Sequence, residues 1–319
     1  MSTQSPRTLK TPSRLSVGML SAGRFALALL LLGSGVARAQ VAANARTDKK
    51  ANSDKTVVEE TKAPAEKGWL NFRDDSITLL PYGWGFKVDP SEQSTFTFEH
   101  VQNSQIGDLF FFVDFTHYNN NSTGGDDWTY YGEISPRLSL GKVSGQDLSW
   151  TPIRPSLFAV KDVLIAAQYE RGSDPNEAQA VLVGLGFDLD VRDLGFRGPL
   201  AKFDYIQLNL YARSELTDTA ENGFRDMQVT MAASYPFNIG KARFLLDGYF
   251  DWVLGIGSEE WSYHLNPQLK LDVGNFWGKP KKFYVGVEAD FWWNKYQIPS
   301  SAAFNTDQFA LSVIAKWHF

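Results

Sequence analysis

The chain contains no cysteine among its 319 residues, which excludes disulfide bonds, thiolate metal sites and a cysteine nucleophile. Its 26 glycines and 14 prolines are too few for a collagen-like or wholly disordered chain. Basic side chains are outnumbered by acidic ones, 31 to 36, which disfavours a protein that binds nucleic-acid phosphates. Aromatic residues, by contrast, make up 14% of the sequence. This composition favours an aromatic-rich β protein in a compartment where cysteine is dispensable.

The first 39 residues have the layout of a secretory signal peptide. They contain no acidic residue, and four basic side chains precede an apolar run at 25–32. Ala37 and Ala39 then form an A-x-A cleavage site before Gln40. The alternative, a transmembrane helix, is disfavoured because it needs about 20 apolar residues. Loss of residues 1–39 would leave 26 basic against 36 acidic side chains, a net charge of −10.

Residues 40–67 are rich in Asn, Lys, Asp, Glu, Thr and Ala and have few large apolar side chains. Such a segment cannot bury enough apolar surface to offset the entropy lost on ordering. We therefore expect a flexible polar extension on the periplasmic side, followed by one domain over residues 68–319.

Residues 68–319 show a hydrophobic period of two, which is typical of β-strands. Leu109, Phe111, Val113 and Phe115 alternate with Phe110, Phe112 and Asp114, for example. In six such segments one parity carries no charged residue, whereas the other carries the charges. Because parity along a strand determines the face of the sheet, each strand has one wholly uncharged face.

Two architectures fit this pattern, a soluble antiparallel sandwich and an outer-membrane barrel with its apolar face toward lipid. The strands are about ten residues long, which suits a tilted membrane strand better than a sandwich strand. Trp and Tyr also lie near strand ends, as in the aromatic girdles of membrane barrels. These residues are Trp69, Tyr82, Trp84, Trp128, Tyr130, Tyr131, Trp252, Trp261, Tyr263, Trp277 and Trp293. We therefore predict an all-β protein, a transmembrane antiparallel up-and-down β-barrel in the bacterial outer membrane.

The alternation predicts twelve strands. They span residues 76–86, 93–102, 107–118, 130–140, 156–169, 179–191, 203–213, 225–235, 243–254, 262–273, 283–295 and 307–319. An even number places both barrel ends of the chain in the periplasm. Two predicted periplasmic connections, 141–155 and 192–202, are longer than such turns usually are, which argues against this count.

Three stretches resemble the nucleoside-specific channel-forming outer-membrane family, Tsx, and its OmpK branch. They are TFTFEHVQNSQIGDLFFFVDF (95–115), EISPRLSLGKVSG (133–145) and GLGFDLDV (184–191). The final Phe319, on an alternating strand, also resembles the assembly signal of such proteins. The resemblance implies a twelve-stranded barrel whose narrow lumen binds nucleosides through aromatic and polar side chains. It also implies external loops that serve as phage receptors.

The inward parity supplies candidate substrate-binding residues. Aromatic side chains can stack on a nucleobase, carboxylates can accept hydrogen bonds from ribose or base amino groups, and Arg137, Arg213 and Lys270 can donate. The predicted lumen site is Phe110, Phe112, Asp114, Arg137, Tyr205, Tyr211, Asp247, Tyr249, Asp251, Glu288, Asp290 and Trp292. The acidic excess predicts that nucleotides are disfavoured relative to nucleosides. The partners expected are outer-membrane lipid, nucleosides or similar small solutes and phage, with a monomeric barrel, no nucleic acid and no cofactor.

Two alternatives remain open. Inward charges can pair with each other and fill the interior, which would make the protein a closed structural or surface-receptor barrel. For Arg137, a cross-strand partner is expected in preference to Glu133, four residues away on the same face. An outer-membrane hydrolase is the other alternative, with Ser312 and His318 as its candidate pair. Because the four histidines show no H-x-x-E-H or H-E-x-x-H spacing and no G-x-S-x-G motif occurs, we predict no enzymatic activity and no metal site.

Overall fold

Twelve antiparallel strands close into a β-barrel in the computed structural model of the chain. The structure describes residues 68–121, 127–150, 159–173, 179–190, 203–216, 223–256 and 260–319. Each strand pairs with its neighbours along the chain, and the last strand pairs with the first to close the ring. The predicted signal peptide and the polar extension lie outside the described residues.

The strands confirm the predicted fold and the predicted number. They are β1 (Leu70–Trp84), β2 (Glu92–Ser104), β3 (Gly107–Tyr118), β4 (Trp128–Ser139), β5 (Ala159–Gly172), β6 (Gln179–Asp190), β7 (Tyr205–Glu215), β8 (Asp226–Ile239), β9 (Ala242–Val253), β10 (Ser262–Asp272), β11 (Phe283–Trp293) and β12 (Gln308–His318). The main departure from the prediction is β1, which begins at Leu70 and not at residue 76. The barrel has a terminal end, where β1 begins and β12 ends, and an opposite end, called the loop end below.

The long connection after β4 contains a short helix, α1 (Leu140–Ser144). Ser139 caps its first turn, with its hydroxyl accepting a hydrogen bond from the Lys142 amide, and Gly145 ends it at φ 68°. This helix occupies part of the segment whose length argued against twelve strands; residues 191–202, in the other long connection, lie outside the described ranges. Nowhere in the described ranges is a helix both long and apolar enough to span a membrane.

The burial pattern is the reverse of that in a soluble sheet. Among the described residues, the buried set contains 24 polar or charged residues and 13 apolar ones. Leu185 and Val287 are each 48% exposed on the outer face, whereas the side chain of Lys270 is almost completely buried inside. The apolar parity therefore faces outward and the charged parity faces inward, as the alternation predicts for a membrane barrel.

Aromatic side chains form two belts on the outer face, one near each end. At the loop end, Trp252 and Tyr263 stack at 5.3 Å between ring centroids, and Phe291 and Phe309 stack at 4.8 Å. At the terminal end, the belt includes Phe237 and Phe244, stacked at 5.3 Å, and the row Trp277, Phe283 and Trp317. Such paired belts are typical of barrels whose two rims lie at the membrane–water interfaces.

We predict that Gly248→Ala destabilises the barrel more than Gly223→Ala does. Both glycines have strongly positive φ, 143° and 132°, so both substitutions strain the backbone. Only at Gly248 would the added Cβ lie 2.1 Å from a backbone oxygen, that of Asn266 on β10. The clash should lower the free energy of unfolding by a further ~1–3 kcal/mol.

Urea unfolding of the two refolded variants in lipid vesicles measures the difference. Because Gly223 has no atom within 4 Å of the added Cβ, it isolates the strain from the clash. Equal destabilisation of both variants would contradict the close approach of β9 and β10.

Candidate functional site

All twelve predicted lumen residues lie on the inner face of the barrel. Ten of them retain solvent-accessible surface there: Phe110, Phe112, Asp114, Tyr205, Asp247, Tyr249, Asp251, Glu288, Asp290 and Trp292. The other two, Arg137 and Tyr211, are only 5% and 1% exposed and belong to the packed wall. The inner face therefore offers solutes aromatic and acidic groups, whereas these two residues contribute to packing.

The most closely packed aromatic group lies on β9–β11. The rings of His264 and Trp292 stack at 3.8 Å between centroids with an interplanar angle of 15°. Tyr249 meets the His264 ring edge-on at 5.0 Å. Because side chains at alternate positions share a face, pairing of β10 with β9 and β11 brings these three rings together.

His264 is a further candidate site residue, which the sequence analysis did not include. The spacing of the histidines speaks only to catalytic motifs, and it says nothing of the face on which His264 lies. His264 has the same parity as Asn266, Gln268 and Lys270 on β10, which all face the lumen. That parity was the signal that would have identified it.

Carboxylates surround this aromatic group. Asp290 Oδ2 lies 3.4 Å from His264 Nε2, and Gln308 donates a 2.9 Å hydrogen bond to Asp290. Asp251 accepts hydrogen bonds from the Thr230 hydroxyl at 2.5 Å and from Gln228 at 3.1 Å. These neighbours fix the carboxylates in place beside the stacked rings, where their remaining lone pairs can accept hydrogen bonds from a polar solute.

A second aromatic group lies on the opposite wall, on β3 and β4. The Phe112 ring centroid lies 5.8 Å from that of Phe110 and 6.0 Å from that of Tyr131, and the neighbouring Asp114 accepts a hydrogen bond from Thr97. Tyr131 therefore faces the lumen, and its assignment to an outer aromatic girdle is wrong, because its parity on β4 is that of the inward Glu133. Six strand positions separate β3–β4 from β9–β10 in the ring of twelve, so the two walls face each other. A circular barrel of this size measures roughly 24 Å between opposing backbones, which leaves on the order of 10 Å between large side chains.

Basic side chains inside the barrel are paired with carboxylates on other strands. Lys270 Nζ lies 2.7 Å from Asp247, and Arg213 binds Glu170 at 2.8 Å. Lys316 binds Glu99 on β2, across the β1–β12 seam. These pairs neutralise the buried cations, so the accessible groups in the lumen have a net acidic character.

Arg137 is also paired with carboxylates on other strands. It binds Asp108 at 2.7 Å and Asp188 at 2.9 Å, from the neighbouring β3 and from β6. The expectation of a cross-strand partner in place of Glu133 is confirmed.

The candidate hydrolase pair is not assembled. Ser312 and His318 share one face of β12 but are six residues apart, about 20 Å along a strand. His318 Nδ1 instead contacts Asp74 at 2.6 Å. Among the described residues, no group of three or more His, Asp or Glu side chains is placed to hold a metal ion.

Comparison with known proteins identifies the family. The model of the nucleoside-specific channel-forming protein Tsx matches residues 84–319. Outer membrane protein OmpK of Vibrio parahaemolyticus is 29% identical over 196 residues, covering 60% of this chain. The match spans 65% of that curated relative, a little less than two thirds of its length.

Similar solved structures are also outer-membrane barrels. KdgM porin aligns with 78% of this chain and 99% of its own, at 10% identity and a TM-score of 0.40. Outer membrane phospholipase A from Escherichia coli aligns with 76% of this chain and 92% of its own, at 9% identity and a TM-score of 0.43.

We predict that Lys270→Met destabilises the barrel by about 3–5 kcal/mol, because it leaves the Asp247 carboxylate without its buried cation. Replacing both partners in Lys270→Met/Asp247→Leu should recover most of this loss, because no unpaired charge then remains. Urea unfolding in lipid vesicles measures both variants and the Asp247→Leu single variant. A double variant no more stable than Lys270→Met would contradict the pairing.

Proposed function

The chain belongs to the nucleoside-specific channel-forming Tsx family, and on this premise we propose that it is a channel for passive, selective uptake of nucleosides or similar small solutes. The protein lies in the bacterial outer membrane, as family and relatives do. The observation that supports the proposal most is the accessible surface that Trp292, Tyr249 and the nearby carboxylates retain inside the barrel. A lumen filled solely by packing would leave these groups without such surface.

The chemistry of the two walls fits a flat, uncharged, hydrogen-bonding solute. A base that stacks on one aromatic ring gains about 1–3 kcal/mol, which is weak enough for release and so compatible with conduction. Asp290, 3.4 Å from His264, and Asp251, which is paired with His264 across β9 and β10, lie beside the Trp292 stack and can accept hydrogen bonds from ribose hydroxyls or base amino groups. Fixed carboxylates also repel a phosphate group, so nucleotides should pass less readily than nucleosides.

The remaining expectations about partners are part of the same proposal. The exposed apolar outer face contacts lipid, and the ring closes within one chain, which supports a monomer. Phage binding would involve connections at the loop end. Residues 122–126, 174–178, 217–222 and 257–259 are outside the described ranges. We propose no enzymatic activity, since Ser312 and His318 lie about 20 Å apart along β12.

A closed structural or surface-receptor barrel is the second candidate. It is favoured by the paired cations Lys270, Arg213 and Lys316, whose side chains occupy part of the interior. Conductance in planar bilayers separates the two candidates. Discrete single-channel steps support the channel, and a silent bilayer with correctly folded protein supports the closed barrel.

We predict that Trp292→Ala weakens adenosine binding in the lumen by about fivefold to 150-fold, the equivalent of 1–3 kcal/mol of lost stacking. Adenosine block of single-channel current measures the affinity. Phe309→Ala is the matched control, because Phe309 lies near the same end but on the outer face, 54% exposed. Equal loss of block in both variants would show that Trp292 has no specific role.

We also predict that wild-type protein admits adenosine faster than adenosine monophosphate into liposomes. Glu288→Gln/Asp290→Asn should narrow this difference, because it removes two carboxylates that repel the phosphate. Swelling rates at several salt concentrations measure the effect, which should weaken as salt screens the charges. A ratio that is unaffected by the double substitution would argue against selection by these carboxylates.

A further inference from the structure

The connection between β11 and β12 begins with a strained turn at the loop end, residues 294–298, called the mouth strap here. Three of its residues have positive φ although none is glycine: Asn294 at 48°, Tyr296 at 58° and Gln297 at 57°. Bulky residues avoid this region, so such a turn persists only where surrounding contacts hold it. Those contacts reach unusually far around the barrel.

The first anchor is Lys295, whose side chain is only 4% exposed. Its Nζ donates to Asp89, in the connection between β1 and β2, at 2.7 Å and to Gln308 at 2.8 Å. The ammonium also lies 5.0–5.9 Å from the ring centroids of Tyr296, Trp292 and Phe86. Because Asp89 neutralises the ammonium group, Lys295 fixes the position of the mouth strap and does not present a net charge to solutes.

The second anchor lies on the other side of the mouth. Gln297 Nε2 donates to the Asp226 carboxylate at 3.1 Å and to the Glu260 carbonyl at 2.9 Å. Asp226 begins β8, which is five positions from β1 in the ring of twelve strands. The mouth strap therefore makes hydrogen bonds to two places, Asp89 and Asp226, that are separated by almost half of the barrel circumference.

Between these anchors, Tyr296 is held above the aromatic group of the lumen. Its ring lies 5.5 Å from the Trp292 ring at an angle of 61°, and its hydroxyl donates to Asp89 at 2.8 Å. Tyr296 is 41% exposed, so it presents part of its ring to solvent at the mouth. His264 and Tyr249 continue the aromatic row below Trp292.

We propose that the mouth strap is the selectivity constriction of the channel, with Lys295 and Asp89 as positioning residues that hold Tyr296 against Trp292. A planar base can stack on either ring with its whole face, whereas a puckered sugar of similar size presents only C–H groups to the same ring and makes less contact. The inference rests on the proposed channel function. It adds where selection takes place and which side chains maintain it.

Lys295→Met tests the positioning role, because it removes both hydrogen bonds but retains an unbranched side chain. We expect single-channel conductance to rise on the order of twofold, since the narrowest section limits conduction. The preference for adenosine over an equal-sized sugar in liposome swelling should fall toward one. Lys161→Met is the control, because Lys161 is an exposed lysine beside Asp190 near the terminal end. Unchanged conductance and preference in Lys295→Met would overturn the proposal.

A second experiment does not depend on the fold of Lys295→Met. Because the chain has no cysteine, Tyr296→Cys carries a single thiol that a bulky methanethiosulfonate reagent can modify. Modification should abolish most of the conductance, and a reductant should restore it, whereas labelled Lys161→Cys should conduct as before. A labelled Tyr296→Cys channel with undiminished current would overturn the strap as a constriction.

The outcomes separate this inference from the proposed function. Wild-type protein that admits adenosine and the sugar equally would refute nucleoside selectivity, and the proposal with it. Selective wild-type protein whose current is insensitive to the label at residue 296 would overturn the strap alone. Loss of selectivity in Lys295→Met supports both the proposed channel function and the mouth strap as its selectivity constriction.

Discussion

Every backbone hydrogen bond in the wall of this protein has to be made within the wall, because the hydrocarbon around it offers no donor or acceptor. Closure of the ladder between β1 and β12 meets this demand without leaving an unpaired edge. The inverted burial follows from it. Once the wall is closed and surrounded by lipid, charges at the depth of the hydrocarbon are confined to the inner face. The outer face becomes the apolar, aromatic-belted surface, and its Arg73, Asp75 and His100 lie near the terminal end.

Because the wall encloses the charged face, the barrel interior holds both the ion pairs that stabilise the fold and the groups that a solute could contact. Charges in the interior need partners, and Lys270 and Arg213 find them on other strands. The carboxylates beside Trp292 are instead held by neutral hydroxyl and amide groups, such as Thr230 and Gln308, and keep accessible surface. The lumen is thus divided between groups that neutralise each other and groups that are available to a solute.

The mouth strap has a different physical basis from the wall. Its backbone departs from regular geometry, and side-chain contacts to distant strands hold it in place. A rigid barrel makes this possible, because it supplies fixed anchor points on both sides of the opening. In the proposed channel, a few residues at the mouth can therefore set selectivity while the strand framework stays unchanged.

Alternation along the chain was enough to predict the strands, their number and which face of each is apolar, because it is a local property that the chain carries regardless of its partners. It also placed Asp114, Tyr249 and Trp292 on the inner face and gave Arg137 a cross-strand partner. The folded barrel was needed to show that Arg137 and Tyr211 are packed into the wall, that His264 stacks on Trp292, and that Lys295 reaches Asp89. Those contacts join residues that are distant in sequence, and ring closure together with side-chain reach brings them together, neither of which periodicity encodes.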